Sequence, residues 1–488
     1  MSADASSPAA PTGVDSHLPL SPRERLRELL RLAWPMVLAQ AAFLGMVLTD
    51  TLVAGRFSAE ALAGVSLGSA VIMPGYNLLM GLCLAIAPAM ARQLGAGVAL
   101  HQRSAWIGGA ARLALGCWIG LMVLLQCLAA PVAQAIAPDA QVAAEMRRYL
   151  HTASAGLPFL GLFFVLRNVL EAHSISRPAM WWGGLALLLN VPLDIALVNG
   201  IGPVPALGAA GCGIATALIQ LLLAAALWRT VRRHRRTQDL RFGWVSALPL
   251  NGEGGDATPS SAAAARDFAR LGLPIGFALL AESSLFALGG LLMARYGTAA
   301  VGAHQIAVSL AAMVFMMQVG IGQATAVLVS RALGAGDMDA LRLTARLGVI
   351  AGLLLASVVS IVFVVFGSAL VDLFTTAPDV RAFGAVFMLW AAIFHLADAM
   401  QAIHAAALRG LHRTREVMVL TLAAYGGVSI PLMLYLTFVR AAPANGIWWA
   451  FTAGLAVAAA LLIHRFWSLA RHPAGRGLAV SGPTADGG

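Results

Sequence analysis

The chain of 488 residues is 59% hydrophobic and 11% charged, with a mean hydropathy of +0.81. A soluble domain carries about 25% charged residues, so this composition excludes a soluble globular protein and makes lipid the solvent. The net charge of +10 would suit nucleic-acid binding. The basic residues are all arginines, however, and they fall in loops on alternating sides of the chain's apolar runs, so we expect no nucleic-acid partner.

Runs of about 20 apolar residues predict twelve transmembrane helices and an all-α polytopic membrane protein. A cleavable signal peptide is not expected, because the first apolar run is long enough to stay in the bilayer. The four cysteines lie in apolar segments and are expected to be packing residues. The predicted helices cover roughly 30–54, 62–90, 106–129, 149–172, 179–199, 209–229, 268–294, 301–330, 344–366, 382–406, 416–437 and 446–468.

An internal repeat divides the chain into two copies of one unit. Residues 32–97 align with 271–336 at a constant shift of 239, which places Pro35 on Pro274 and Arg92 on Arg331. A shift of 238 then matches SRPAM at 176–180 to TREVM at 414–418. A large apolar chain built from two copies of one unit is typical of a transporter whose halves move against each other.

The arginines predict the orientation of the helices. Of the 32 arginines, 24 fall in one set of loops and in both tails, two lie within helices, and six lie on the other side. Both termini and the central loop are therefore expected in the cytoplasm. Because each half has six helices, an even number, the two halves have the same orientation in the membrane and form a parallel repeat. The predicted divisions are a tail (1–29), an N-lobe (30–229), a basic and flexible linker that touches anionic headgroups (230–265), a C-lobe (266–468) and a second tail (469–488).

Carboxylates inside a bilayer are costly and are therefore functional candidates. Asp50 lies toward the outer end of predicted helix 1, where the alternative is a side chain that snorkels to water. Asn190 and Asp194 lie four residues apart on one face of predicted helix 5, with Pro192 between them. They are expected either to hold a cation or a proton, or to bond each other and pack the helix.

Glu282 and Asp398 lie near the centres of predicted helices 7 and 10, far from either interface. Each must face a partner or a water-filled cavity, which makes the pair the stronger candidate for carrying a proton. Glu171 is expected to form a surface ion pair at the cytoplasmic end of predicted helix 4. His304 and Gln305 are weaker candidates for substrate contacts. A phosphate-binding loop, a nucleophile triad and a His/Cys metal spacing are all missing from the sequence, which argues against a primary pump and an enzyme.

The chain resembles the multidrug and toxic compound extrusion (MATE) family, in its NorM-like branch, over about 30–468. The resemblance lies in LTDTLVAGR around Asp50, LNVPLD at 189–194, GAAGCGIATAL at 208–218, ESSLF from Glu282, AHQIA at 303–307, SRALGAG at 330–336 and LADAMQ around Asp398. It implies two six-helix lobes around a V-shaped central cavity. It also implies export of small organic cations, driven by inward Na+ or H+ and needing no other cofactor, by a monomer in a bacterial inner membrane.

The resemblance further implies two coupling sites. In the N-lobe, Asp50 with Asn190 and Asp194 matches the family's cation or proton site, and Asn168 of predicted helix 4 is a further match. In the C-lobe, Glu282 and Asp398 match the cation site of NorM-like members, where Na+ is the candidate metal ion. Phe286 joins His304 and Gln305 among the candidate substrate contacts. The sequence leaves open which lobe carries the coupling site.

Two other functions compete with this interpretation. A lipid-linked oligosaccharide flippase of the same superfamily would be expected to line its cavity with cations for a pyrophosphate headgroup. This chain instead places carboxylates in its predicted helices. A membrane-embedded transferase would need a catalytic constellation at one membrane face, and the sequence shows none.

Overall fold

A computed structural model describes residues 21–200, 205–242 and 260–471, and the described residues are almost entirely helical. Most of both predicted tails, and residues 243–259 of the central linker, lie outside the described residues. The helices are α1 (Pro22–Phe57), α2 (Ala59–Leu84), α3 (Ile86–Gly95), α4 (Leu100–Ile136), α5 (Ala140–Ser154), α6 (Leu157–Ala172), α7 (Arg177–Asn199), α8 (Ala209–Arg233), α9 (Ser261–Met293), α10 (Thr298–Gly334), α11 (Met338–Asp372), α12 (Pro378–Gly410), α13 (Thr414–Ala424), α14 (Ile430–Leu434) and α15 (Gly446–Arg471).

These helices make up twelve membrane spans, as the sequence predicted. Eleven helical segments of the described chain are each long and apolar enough to cross a bilayer, with α2 and α3 forming one of them. The pair α5 and α6 supplies the twelfth, with a bend of 41° between its halves. Two π-helical turns, Tyr425–Ser429 and Tyr435–Val439, extend α13 and α14 into one span that runs from Thr414 to Val439.

Short polar side chains set the beginnings of several spans. Ser21 accepts a hydrogen bond from the amide of Glu24, whose carboxylate accepts from the Ser21 amide at 2.8 Å, which is a complete capping box. Ser58, Ser260 and Asp337 cap α2, α9 and α11 by accepting a hydrogen bond from one amide of the first turn, without the reciprocal bond of a capping box. These caps satisfy amide groups that the first turn of a helix leaves without partners.

The outer faces of the helices are apolar where they meet lipid. On α11, Ile350, Leu354, Val358, Ile361 and Val365 are each more than half exposed and repeat every three or four residues. This spacing places them on one face of the helix. Such a continuous apolar stripe would be unstable in water and is stable against acyl chains.

The two lobes meet through two equivalent helix pairs, α1 with α10 and α2 with α9. Gly81 of α2 lies against the backbone of Gly276 on α9 so closely that a Cβ atom at position 81 would overlap it. The equivalent contact joins Gly320 of α10 to Val37 of α1, and each of these residues lies 239 positions from its counterpart. The repeat in the sequence is therefore a repeat in the packing.

The interface is tightest at the side that carries the arginine-rich loops, which we call the arginine-rich side. A Cβ atom on Gly95 would overlap the carbonyl oxygen of Arg331, and one on Gly334 would overlap the carbonyl oxygen of Arg92. Ser330 donates to the carbonyl of Pro88 at 2.6 Å across the same boundary. Glycine therefore permits the closest approach of the lobes, and the lobes are closed against each other on this side.

His412, in the turn after α12, adds a polar contact to this closure. Burial, with the charge of Arg92 beside it, lowers the pKa of His412 to about 4, so the ring is neutral at pH 7. Its Nδ1 atom then accepts from Arg92 at 3.3 Å, and its Nε2 atom lies 3.4 Å from the Ser330 hydroxyl. The two contacts select the tautomer that carries its proton on Nε2.

The Gly334→Ala substitution should destabilise the protein by about 1–3 kcal/mol, because the new methyl group overlaps the backbone of the other lobe. Gly116 on α4 has open space around its Cα, so Gly116→Ala should be neutral or stabilising by about 0.5–1 kcal/mol. Thermal unfolding of the purified proteins in detergent measures both effects. A change of the unfolding temperature in the same direction in both variants would show that close approach of the lobes does not restrict position 334.

Candidate functional site

The N-lobe cluster joins three helices around Asp50, which is 7% exposed near the outer end of α1. Thr216 of α8 donates to its Oδ2 atom at 2.9 Å, and Asn190 of α7 donates to its Oδ1 atom at 3.4 Å. Asp50 is therefore bonded inside the lobe rather than turned toward water. The structure thus places Asp50 and Asn190 together, as the resemblance implied.

Asp194 completes this cluster from one turn further along α7. Its side chain is fully buried, and its carboxyl lies within hydrogen-bonding reach of the Asp50 carboxyl. Two carboxylates can share a hydrogen bond only when one of them carries a proton. The geometry is therefore that of a carboxyl pair that holds at least one proton or, failing that, a cation.

Asn168 lies outside this cluster. Its amide group donates to the carbonyl of Phe164 at 2.8 Å and accepts from Gln323 of α10 at 3.4 Å. Asn168 is four residues from the end of α6 on the arginine-rich side, whereas Asn190 is thirteen residues from the same side on α7. At 1.5 Å per residue their depths differ by about 14 Å. The structure assigns Asn168 to the contact between the lobes.

The expectation of a surface ion pair at Glu171 was wrong. Glu171 accepts from Arg167 at 2.7 Å, and both side chains are nearly inaccessible to solvent. Arg167 also donates to Gln40 of α1 at 2.8 Å. The two ionised residues are four positions apart on α6 and satisfy each other, as a buried pair must.

The C-lobe cluster centres on Asp398 of α12, whose side chain is buried. Within the described part of the chain, neither of its carboxylate oxygens has a hydrogen-bond partner, and the nearest basic group is His395 at 3.9 Å. Glu282 of α9 is half-buried and interacts electrostatically with Asp398. A buried carboxyl group without hydrogen-bond partners, beside a second carboxyl group that interacts with it, forms an arrangement suited to binding a proton or a small cation.

Sequence reasoning missed one member of this cluster, Tyr425, and a buried serine one turn further along the same helix. Tyr425 and Ser429 lie on the first π turn, are buried, and carry hydroxyl groups without a partner among the described residues. Tyr425 interacts electrostatically with both Glu282 and Asp398. A π turn widens a helix locally and is frequent at functional sites. The Gly426-Gly427 pair, followed by Pro431, was the available signal of an irregular helix.

The candidate substrate contacts separate in the structure. His304 is buried among aromatic rings, with its centroid 5.7 Å from that of Trp448, while Gln305 is exposed. Phe286 packs against Phe451 at 4.9 Å. His304 and Phe286 therefore belong to one aromatic cluster inside the C-lobe, and Gln305 faces away from it.

The available ligand atoms restrict the chemistry of both clusters. Among the described residues, no group of three or more His, Cys, Asp or Glu side chains is arranged to hold a metal ion. A site for Na+ at Glu282 and Asp398 would therefore draw its other ligands from hydroxyl and backbone oxygens. Tyr425 supplies a hydroxyl oxygen at this place.

Comparison with known families tests the repeat and the fold together. The MatE family model matches twice, at residues 35–196 and 274–435, and the two matches are displaced by the same 239 residues as the repeat. The chain belongs to the MatE family. The predicted membership is confirmed by matches that cover both lobes, and each match contains the central parts of one six-helix unit.

Relatives and solved structures agree with this membership. The multidrug resistance protein MdtK of Yersinia pseudotuberculosis serotype O:1b (strain IP 31758) is 33% identical over 456 residues, covering 92% of this chain and 96% of that protein. A mutant of the Vibrio cholerae MATE transporter VcmN superposes with a TM-score of 0.81 at 16% identity, covering 94% and 99% of the two chains. The eukaryotic MATE transporter AtDTX14 gives 0.79 at 20% identity, covering 93% and 99%. The predicted two-lobe all-α membrane fold is confirmed.

Replacing Tyr425 by Phe should weaken cation binding in the C-lobe about tenfold, because the ring still packs but one hydroxyl ligand is lost. Protein fluorescence, titrated with Na+ at fixed pH and with acid at fixed Na+, measures the change. Tyr149→Phe is the matched control, since the Tyr149 hydroxyl contacts Ser69 in the N-lobe at 3.0 Å. Unchanged titrations in Tyr425→Phe would remove this residue from the site.

Proposed function

We propose that this protein is a secondary active antiporter that exports amphipathic, mostly cationic, organic compounds in exchange for inward Na+ or H+. The observation that carries the proposal is the carboxyl group of Asp398, whose oxygens have no hydrogen-bond partner among the described residues, together with Glu282, which interacts with it electrostatically. An unpaired carboxylate is costly in a bilayer, and a bound proton, Na+ or organic cation removes that cost. Relatives named multidrug resistance proteins support the substrate class.

Exchange follows if the coupling ion and the substrate compete for the same charge. One elementary charge that moves through 100 mV contributes about 2.3 kcal/mol, to which the concentration gradient of the ion is added. When the ion binds the carboxyl groups, it displaces the organic cation. When the ion leaves, the carboxyl groups can bind an organic cation again. The antiporter needs no other cofactor, because the ion gradient supplies the free energy for export.

Alternating access of the two lobes completes the proposal. The lobes are closed against each other on the arginine-rich side, which the distribution of positive charge places in the cytoplasm. The structure then represents the state that is closed to the cytoplasm, and both termini lie on the cytoplasmic side of a bacterial inner membrane. The interface between the lobes lies within one chain, so a monomer suffices for this motion.

The buried arginines argue against the flippase alternative. Arg167 is paired with Glu171, and Arg409 interacts with Glu282, so a carboxylate already offsets each charge. A pyrophosphate headgroup would require free positive charge in the cavity. A membrane-embedded transferase is also disfavoured, because the buried acids lie within the spans rather than at a membrane face where a catalytic site would be reached.

Replacing Glu282 by Gln or Asp398 by Asn should reduce coupled efflux at least about a hundredfold, because each change keeps the shape and removes the charge that the ion neutralises. Efflux of a fluorescent organic cation from everted vesicles, with the Na+ and H+ gradients dissipated separately, measures this and identifies the coupling ion.

Glu60→Gln is the matched control, because Glu60 lies in the first turn of α2, away from the buried clusters, and should transport normally. Full transport in both Glu282→Gln and Asp398→Asn would exclude the pair from the mechanism. Failure of the wild-type protein to move any cationic dye under either gradient would exclude the antiporter itself.

Replacing Asp50 by Asn should stop turnover while substrate still binds, because the amide resembles the protonated acid at all pH values. We infer that protonation of Asp50 changes its bonds to Asn190 and Thr216 and so alters the course of α1. Drug binding and transport rate are measured against pH for the same variant. Normal turnover with an unchanged pH profile would leave Asp50 with a packing role only.

A further inference from the structure

A large cavity opens at the arginine-rich side of the N-lobe, away from both carboxyl clusters. Its volume is about 970 Å³, and its wall comes from the start of α1, the turn between α6 and α7, and the end of α8. A second cavity of about 450 Å³ adjoins it along α1. Arg27, Arg31 and Arg177 line both cavities, so the two form one continuous feature.

The larger cavity is strongly basic. Six arginines and two glutamates line it, so its wall carries net positive charge. Within the described residues, Arg236 donates to the carbonyl of His173, but the other five arginines take part in none of the ion pairs. These five are Arg27, Arg31, Arg177, Arg233 and Arg235. Apart from Arg27, which interacts with Glu24, these arginines of one wall have no carboxylate partner among the described residues. Such guanidinium groups are suited to phosphate, which they bind through paired hydrogen bonds.

A hydroxyl group in the same wall also lacks a partner. Ser174 lies in the α6–α7 turn with a φ angle of +59°, a backbone conformation that residues other than glycine rarely adopt. Its Oγ atom is buried and has no hydrogen-bond partner among the described residues. A donor of this kind, held by strained backbone at the edge of a basic cavity, suits an anionic ligand.

The smaller cavity combines apolar and basic side chains. Leu26, Leu30, Trp34 and Pro35 supply half of its lining residues and arginines supply the other half, and Trp34 is 62% exposed. Trp181, one turn beyond Arg177 on α7, is 71% exposed. Tryptophans at this level are typical of the boundary between headgroups and acyl chains. A soluble phosphate compound would have no use for this apolar surface.

We propose that these joined cavities form a binding site for an anionic phospholipid. The phosphate lies among Arg31, Arg177 and the arginines at the end of α8, and an acyl chain follows Leu30 and Trp34 along α1. Basic cavities between transmembrane helices on the cytoplasmic side recognise anionic headgroups in this manner. The site is independent of the transport proposal, since neither carboxyl cluster takes part in it.

The position of the site gives the lipid a structural role. Glu28 in the cavity wall lies 3.9 Å from Arg331 of α10, and Arg331 donates to the carbonyl of Ala172 at 2.7 Å. The headgroup therefore lies beside a direct contact between the lobes. Bound lipid reduces repulsion among the N-lobe arginines and so stabilises the arrangement that is closed on this side.

Native mass spectrometry of the purified protein in detergent tests the site, with phosphatidylglycerol or phosphatidylcholine added at equal concentration. We expect the wild type to retain phosphatidylglycerol selectively. Arg31→Gln with Arg177→Gln should weaken that binding about thirtyfold, because each arginine near a headgroup contributes roughly a factor of five. Equal retention of the two lipids by the wild type would overturn the proposal.

The repeat supplies a matched control. Arg270 and Arg415 are the exposed counterparts of Arg31 and Arg177 in the C-lobe, and neither lines the cavities. Arg270→Gln with Arg415→Gln removes the same charge and should retain the lipid as the wild type does. An equal loss in both double variants would show a diffuse effect of charge and would overturn the site. If the double variant Arg31→Gln with Arg177→Gln is not monodisperse, the double variant Arg233→Gln with Arg235→Gln is used in its place.

Two further arms separate a lipid from a soluble phosphate. Glycerol 3-phosphate carries at least as much negative charge as the headgroup but has no acyl chains, and even at a hundredfold excess it should displace little phosphatidylglycerol. Trp34→Ala should lower lipid retention several-fold, because it removes apolar wall and leaves the arginines in place. Full displacement by glycerol 3-phosphate, or full retention by Trp34→Ala, would assign the cavity to a soluble anion and overturn the lipid site.

Discussion

A carboxyl group that is held away from water must find a proton, a cation or a hydrogen-bond donor, and this requirement organises the whole molecule. In the N-lobe, Thr216 and Asn190 donate to Asp50, whereas neither oxygen of the neighbouring Asp194 has a donor among the described residues. The C-lobe leaves Asp398 without a donor among the described residues. The two lobes share one backbone plan but solve the same electrostatic problem differently. The difference suits one lobe to hold a proton within a fixed network and the other to exchange a mobile cation.

The asymmetry extends to the positions that the repeat makes equivalent. The counterpart of Asp50 in the C-lobe is Gly289, which allows the ring of Phe451 to lie close to the backbone. The counterpart of Glu282 in the N-lobe is Phe43, which stacks on Tyr76 with centroids 6.1 Å apart. Where one lobe carries an acid, the other packs aromatic rings. The neighbours that surround each acid are therefore found in one lobe and have no equivalent in the other.

Much of this arrangement followed from the sequence, for reasons that are local. Apolar runs long enough to span a bilayer gave the number of helices, and a spacing of four residues placed Asn190 with Asp194 on one face of α7. The same spacing could have paired Arg167 with Glu171, and the expectation of a surface pair overlooked it. Local spacing carries this information because it needs no knowledge of how helices pack.

The remaining features depend on packing between elements distant in the chain. Asn168 meets Gln323 across the boundary between the lobes, which no spacing within α6 could indicate. Tyr425 reaches the C-lobe acids from a π turn, where a helical period of 3.6 residues no longer predicts which side chains share a face. At the boundary itself, glycine-to-backbone packing and single hydrogen bonds supply the contacts around Gly95 and Gly334. One charge moving through 100 mV, at about 2.3 kcal/mol, changes the ratio of two states roughly fiftyfold. A continuous apolar cluster also crosses this boundary and contains Leu82 of the N-lobe with Ile275 and Leu328 of the C-lobe. Under the proposed function, the binding of an ion therefore shifts the balance between two packed arrangements of the lobes.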